Sequence, residues 1–98
     1  MCARVIRAPV PPEHFDKVLA ATKERNVPMV KQLPGFIAGY WSGDSTTGRV
    51  TTFVLLESKE GIRAAEAGLE QMRPLIEPLG VRFDSVEHLE VFVTEGGR

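Results

Sequence analysis

A chain of 98 residues, 43% hydrophobic and 26% charged, has the make-up of one small folded domain, expected to span residues 1–98. Its 12 basic and 13 acidic residues are scattered and leave a net charge of −1, which argues against a nucleic-acid binder, since that needs a basic stripe to neutralise phosphates. No apolar run approaches the ~20 residues of a membrane span, segment 1–15 lacks the apolar core of a signal peptide, and the lone Cys2 leaves no internal disulfide and no thiolate metal cluster, so a cytoplasmic protein is expected.

In chain order, ARVIRA at 3–8 is a short β-prone run that ends at Pro9, Pro11 and Pro12, because proline removes a ladder donor and fixes the backbone. Pro12 suits the first turn of a helix. Phe15, Val18, Leu19 and Thr22 then fall on one helical face, which Val30 and Leu33 could continue after Pro28. Pro28 forfeits a backbone hydrogen bond and should kink or restart this helix; Pro34-Gly35 stops it. Two strands are expected at 36–42 and 49–57, joined by the turn-rich GDSTTG that closes on Gly48. Ser58 is a plausible N-cap, with Glu60 in the first turn of a second helix running from Lys59 to about Arg73. Ile62, Ala65, Leu69 and Met72 mark its buried stripe. Pro74 and Pro78 are expected to break the segment beyond Arg73 into a short irregular or helical piece, and Gly80 to end it. A long fourth strand is expected over 81–93, then a frayed tail at 94–98.

The order β-α-β-β-α-β has an economical solution: a ferredoxin-like α+β fold, one antiparallel sheet with two helices on one face. Side-chain alternation puts Phe36, Ala38 and Tyr40 on one face of the second strand, and Ile37 and Trp41 on the other. On the third strand Val50, Val54 and Leu56 oppose Phe53 and Leu55; on the first, Val5 opposes Ile6. On the fourth, Val81, Phe83, Leu89, Val91 and Val93 oppose Val86, His88 and Phe92. A sheet with one wet face would alternate with polar residues. Here the helix-free face carries large apolar groups, and leaving four of them in water forgoes roughly 6–12 kcal/mol, comparable to the whole stability of a small domain. A second copy, packed sheet to sheet about a two-fold axis, is the simplest cover.

With LPGF at 33–36, GYW at 39–41, TGRVTTFVLLES at 47–58 followed by a helix, and SVEHLEVF at 85–92, nearly the whole chain resembles the dimeric α/β-barrel superfamily. The likeness is to small proteins related to the antibiotic-biosynthesis monooxygenases. It implies a homodimer and, without any cofactor, oxygenation or cyclisation of an aromatic or polyketide-like small molecule. The alternative is a non-catalytic ligand-binding or structural dimer. In the resembling enzymes asparagine, tryptophan and basic residues hold the substrate, the asparagine typically on the first strand, where ARVIRA has none.

Chemistry selects the candidate site residues. His88 could accept a proton near pH 7. Tyr40, Trp41 and Phe53 offer flat rings on which an aromatic ligand could stack. Asn26, before the proline break, is a candidate ligand contact. Core or interface packing is the plain alternative for His88 and the aromatic rings, and a simple helix-break residue is the plain alternative for Asn26. Arg4, Arg7, Arg49 and Arg82 could pair with an anionic ligand, but solvated strand ends are the default reading. His14 and His88 form no metal-ligand motif, and GDSTTG lacks the strand–loop–helix setting of a phosphate site, so no metal is expected. An enclosed cavity near ~300 Å³ with a polar group reaching into it would favour an enzyme or binder over a filled, structural interior.

Overall fold

The computed structural model describes residues 1–96; the last two residues of the expected frayed tail lie outside them. Strand β1 runs Cys2–Pro9, β2 Phe36–Asp44, β3 Arg49–Leu56 and β4 Ser85–Glu90. They form one antiparallel sheet in the order β2-β3-β1-β4. Between β1 and β2 lie a 3-10 turn at Pro12–His14, helix α1 at Phe15–Ala21, a π turn at Thr22–Asn26 and helix α2 at Val27–Lys31. Helix α3 spans Lys59–Ile76 and passes into a 3-10 turn at Glu77–Leu79. This is the expected ferredoxin-like α+β arrangement.

The π turn is the physical answer to Pro28. Proline has no N–H to give and its ring collides with the carbonyl four residues back. Here the Val27 N–H reaches the carbonyl of Thr22, five residues back, and the helical path widens by one residue instead of breaking. Leu19, expected on the buried face, is 43% exposed, while Val18 and Phe15 pack inward. Helix α3 runs through Pro74 to Ile76, past its expected end, and Gly80 caps the 3-10 turn with φ 82°. Ser58 occupies the N-cap position without a side-chain hydrogen bond.

Strand β4 is shorter than expected: its ladder with β1 covers Ser85–Glu90 only. At one end the pairing stops at Ser85–Arg7, just before Pro9 removes a donor; only Asp84 N–H to the Arg7 carbonyl (2.8 Å) lies beyond. At the other, the ladder ends at Glu90–Cys2, and a single bond from Val91 N–H to the Met1 carbonyl (3.0 Å) lies beyond. Val81 and Phe83 therefore sit in a loop, and Phe92 and Val93 stand free in solvent.

A bulge corrects the alternation on β2. Phe36 pairs with Leu56 but Ala38 with Leu55, so the parity flips at Ile37. Phe36 and Trp41 therefore share the helix-covered face, while Ala38 and Tyr40 lie on the other. Under the helices one core cluster gathers Val30, Val54, Leu56, Ile62 and Ala65. A second, at the other end of the sheet, gathers Ala8, Val10 and Val81, with Phe15, Val18, Val50 and Ile76 packed on it. The helix-free face is divided. One half is polar, with Ser42, Thr51 and the Arg7–Glu87 ion pair. The other holds Leu55 and Phe53, half-buried, and Tyr40 and Leu89, exposed at 58% and 46%; Ile37, at the bulge, is 40% exposed.

Candidate functional site

Between the sheet and the helix layer, where the two core clusters meet, lies an internal cavity of about 80 Å³. Ile6, Met29, Val30, Ala65 and Met72 give it an apolar wall. Its polar groups are Arg4 and Thr52 from the sheet and Thr22 and Asn26 from the π turn. The Thr22 hydroxyl is spent on the carbonyl of Val18 (2.9 Å).

Arg4 is the unusual member. It lies on β1 at the same parity as Ile6 and Ala8, between Val54 and His88 on the flanking strands, and is only 3% exposed. One arm of the guanidinium, Nη1, donates to the carbonyl of Ala65 in α3 (2.9 Å). Its Nε is buried with no partner among the described residues. Burial lowers the pKa of Arg4 from its ordinary value, and the charge of Glu66 acts in the opposite direction. A buried cation in the wall of a largely apolar cavity favours an anionic oxygen beside it.

The residues singled out from the sequence divide among separate places. Asn26 lines the cavity. Trp41 lines a groove of about 270 Å³ between α1 and the β2–β3 hairpin, which shares Val18, Thr22, Val50 and Thr52 with the cavity wall. The Trp41 ring folds back over Gly39, where an added Cβ would overlap it, and its Nε1 is a buried donor with no partner among the described residues. Tyr40 and Phe53 stand together on the helix-free face, ring centroids 6.3 Å apart. His88 lies on the helix side at the β4 edge, outside the cavity wall, with Nε2 2.7 Å from Oε1 of Glu66. The described residues contain no grouping of three or more His, Cys, Asp or Glu able to hold a metal ion.

By type Arg4 reads as one more strand-end arginine, although its signal is present: in ARVIRA it occupies the inward parity with Ile6 and Ala8. An arginine at an inward position of a central strand cannot be solvated and must be explained.

No protein-family model and no curated protein sequence matches the chain. Solved structures do. A protein from Deinococcus radiodurans, described as an antibiotic biosynthesis monooxygenase, superposes with a TM-score of 0.83 at 15% identity, over 100% of this chain and 99% of that one. SnoaB from Streptomyces nogalater, a cofactor-independent oxygenase, gives 0.72 at 17% identity, over 98% and 97%. The monooxygenase ActVA-Orf6 of Streptomyces coelicolor, solved with nanaomycin D, gives 0.67 at 19% identity, over 99% and 88%. The chain therefore has the ferredoxin-like fold of the antibiotic-biosynthesis-monooxygenase-like structures.

Proposed function

We propose that the chain is a cofactor-independent monooxygenase of small hydroxyarenes or their keto tautomers, acting in the cavity between sheet and helices. The observation that carries this reading is the buried, partly unpartnered guanidinium of Arg4. A positive charge at a fixed place in a largely apolar cavity stabilises the phenolate or enolate of a bound substrate and lowers the cost of its deprotonation. The anion then supplies its own electrons to dioxygen. One oxygen atom becomes a second ring carbonyl and the other leaves as water, so that anthrone plus O₂ gives anthraquinone plus H₂O. Asn26 and Trp41 are proposed to hold the substrate's other oxygens and ring. His88 is proposed to act on the site through Glu66, whose charge reaches Arg4. Oxygenase activity in SnoaB and ActVA-Orf6, which share the fold, supports the reaction class; fold alone does not fix it.

The test is oxygen uptake with anthrones and hydroxyquinols, with product identified by mass spectrometry and ¹⁸O₂ labelling. Quinone carrying one labelled oxygen is expected. His88→Ala should lower kcat about threefold to tenfold and leave KM within about twofold, the pattern of an indirect role. Unchanged kcat removes His88 from the mechanism.

The size of the cavity favours a second reading. About 80 Å³ is well below the ~300 Å³ of a usual ligand site. A non-catalytic dimer would show no labelled product from any substrate.

In either reading the apolar half of the helix-free face is proposed to pack against a second copy. Tyr40 and Leu89 are the exposed anchors. Light scattering at micromolar concentration should give a dimer for the parent chain. Tyr40→Glu with Leu89→Lys, which places charge on the dry half, should give a monomer. A parent chain that is monomeric at all concentrations sinks the dimer.

A further inference from the structure

We infer that the internal cavity opens through a bowl at the C-terminal end of α3, gated by Phe83, and that the ligand it admits is an aromatic anion. The inference rests on the proposed function only in taking the Arg4 cavity as a ligand site; it does not need oxygen chemistry.

The bowl holds about 490 Å³ and is formed by Arg73, Ile76, Glu77, Gly80, Val81, Arg82 and Phe83. Three of these residues, Ile76, Val81 and Phe83, also line the cavity, so they form the partition between the two spaces. Phe83 is the large side chain of that partition and belongs to the loop before β4, where no strand ladder fixes its backbone. Above it lies the guanidinium of Arg73, its central carbon 5.5 Å from the ring centroid. Arg73 also pairs with exposed Glu70, at 3.4 Å.

The same residues set both the gate and its guest. The cavity alone is too small for a ring system, and the bowl supplies the missing room. When Phe83 swings out, the space it leaves is roofed by a guanidinium that already stacks on an aromatic ring, and an aromatic ligand can take its place. The inner end is lined by Arg4, whose buried guanidinium charge selects an anionic oxygen. Together they select a flat ring carrying a carboxylate or phenolate. Glu77 on the rim and Glu70 beside Arg73 balance the two outer arginines, so attraction from a distance is weak and selection happens at Arg4. The other shared wall, toward the groove beside Trp41, is a poorer mouth. Its partition is Val18, Thr22, Val50 and Thr52, which sit on α1, the π turn and the paired strand β3, so opening it means unpacking regular elements.

The test is stopped-flow binding under nitrogen, where no oxygenation can occur, read through Trp41, the chain's one tryptophan. The probes are 1-hydroxy-2-naphthoate and its neutral counterpart 1-naphthol. The naphthoate should bind at least about tenfold more tightly. Phe83→Ala should raise both the association and dissociation rates by about tenfold or more while Kd stays within about threefold, the signature of a gate. Phe83→Leu keeps apolar bulk should the alanine variant fail to fold, and should raise both rates by a smaller factor. Arg73→Gln should also speed both. Unchanged rates in all three variants, with Val18→Ala accelerating instead, place the mouth beside Trp41 and overturn the inference. No saturable signal with millimolar naphthoate in the parent or the Phe83 variants overturns it as well. Binding without any labelled quinone sinks the oxygenase reading and leaves this one standing.

Discussion

Replacing Gly48 with alanine is expected to lower stability by about 3–5 kcal/mol and the melting temperature by at least about 12 °C for a chain of this size. Two independent effects add. Gly48 has φ 77°, in the left-handed region that costs a non-glycine residue about 1–3 kcal/mol. Its missing Cβ is also a contact surface: an added carbon would overlap the carbonyl oxygen of Val10 and stand 3.3 Å from its carbonyl carbon. That carbonyl cannot simply retreat, because Val10 N–H donates to the Gly48 carbonyl at 2.6 Å and clamps the hairpin turn to the segment after β1. Val10 itself is 3% exposed in the second core cluster, so separating the two also loosens that core. Gly96→Ala is the control. It too has positive φ, 70°, but nothing lies within 4 Å of the added carbon, so at most the conformational cost of about 1–3 kcal/mol is expected and the contact cost is absent. A Gly48→Ala protein melting within about 2 °C of the parent would mean that the turn slides freely and that the clamp carries no stability.

The turn that depends on Gly48 also marks how much the sequence discloses. GDSTTG is legible as a hairpin because its chemistry is local: Asp44 Oδ1 accepts the N–H of Thr46 at 2.8 Å, and Gly48 N–H closes on the Asp44 carbonyl at 2.7 Å. The strand and helix order is legible for the same reason, since period-two and helical spacing are written within each segment. The features that do not show are set by partners distant in sequence. The β2 bulge at Ile37 reverses the facing of Phe36, and nothing in FIAGYW announces it. The length of β4 is set by its pairing with Cys2–Arg7 of β1, so the alternation of 81–83 and 92–93 reads as strand but joins no ladder. Leu19 and Val18 are both apolar, and which of them faces inward depends on how α1 docks.

The site is less legible than the fold, for a related reason. Aromatic and histidine residues attract attention by type, yet type does not say which face of a sheet a residue occupies. Tyr40 and Trp41 are neighbours in sequence and lie on opposite faces. Arg4 is ordinary by type and unusual only by position. The parity of β1 places it inside, where it joins Asn26 across the cavity.

Arg4→Met is therefore expected to make the protein more stable and less capable at once. Methionine is close to arginine in length and fills irregular apolar space. Replacing an inadequately paired buried charge by an apolar residue of similar volume is typically neutral or stabilising by about 1–4 kcal/mol. The hydrogen bond to the Ala65 carbonyl is lost, a net cost of about 1.5–3 kcal/mol for a charged donor. Against it stands the desolvation of a guanidinium on a residue only 3% exposed, with one nitrogen left unpaired. The second effect is the larger, because dehydrating an ion costs several kcal/mol even after relaxation. The melting temperature should rise by about 4 °C or more. Affinity for 1-hydroxy-2-naphthoate should fall by about a hundredfold, and quinone formation from anthrone by about 10²–10³ in kcat/KM, the usual cost of removing one donor from a developing oxyanion. Arg4→Lys keeps the charge but loses the planar fork, and should fall between the two in binding. A purely structural arginine predicts the reverse pairing. The methionine variant would then melt lower than the parent and bind the naphthoate equally well. That outcome would reduce Arg4 to a strut between β1 and α3 and leave the cavity without a reason to hold a ligand.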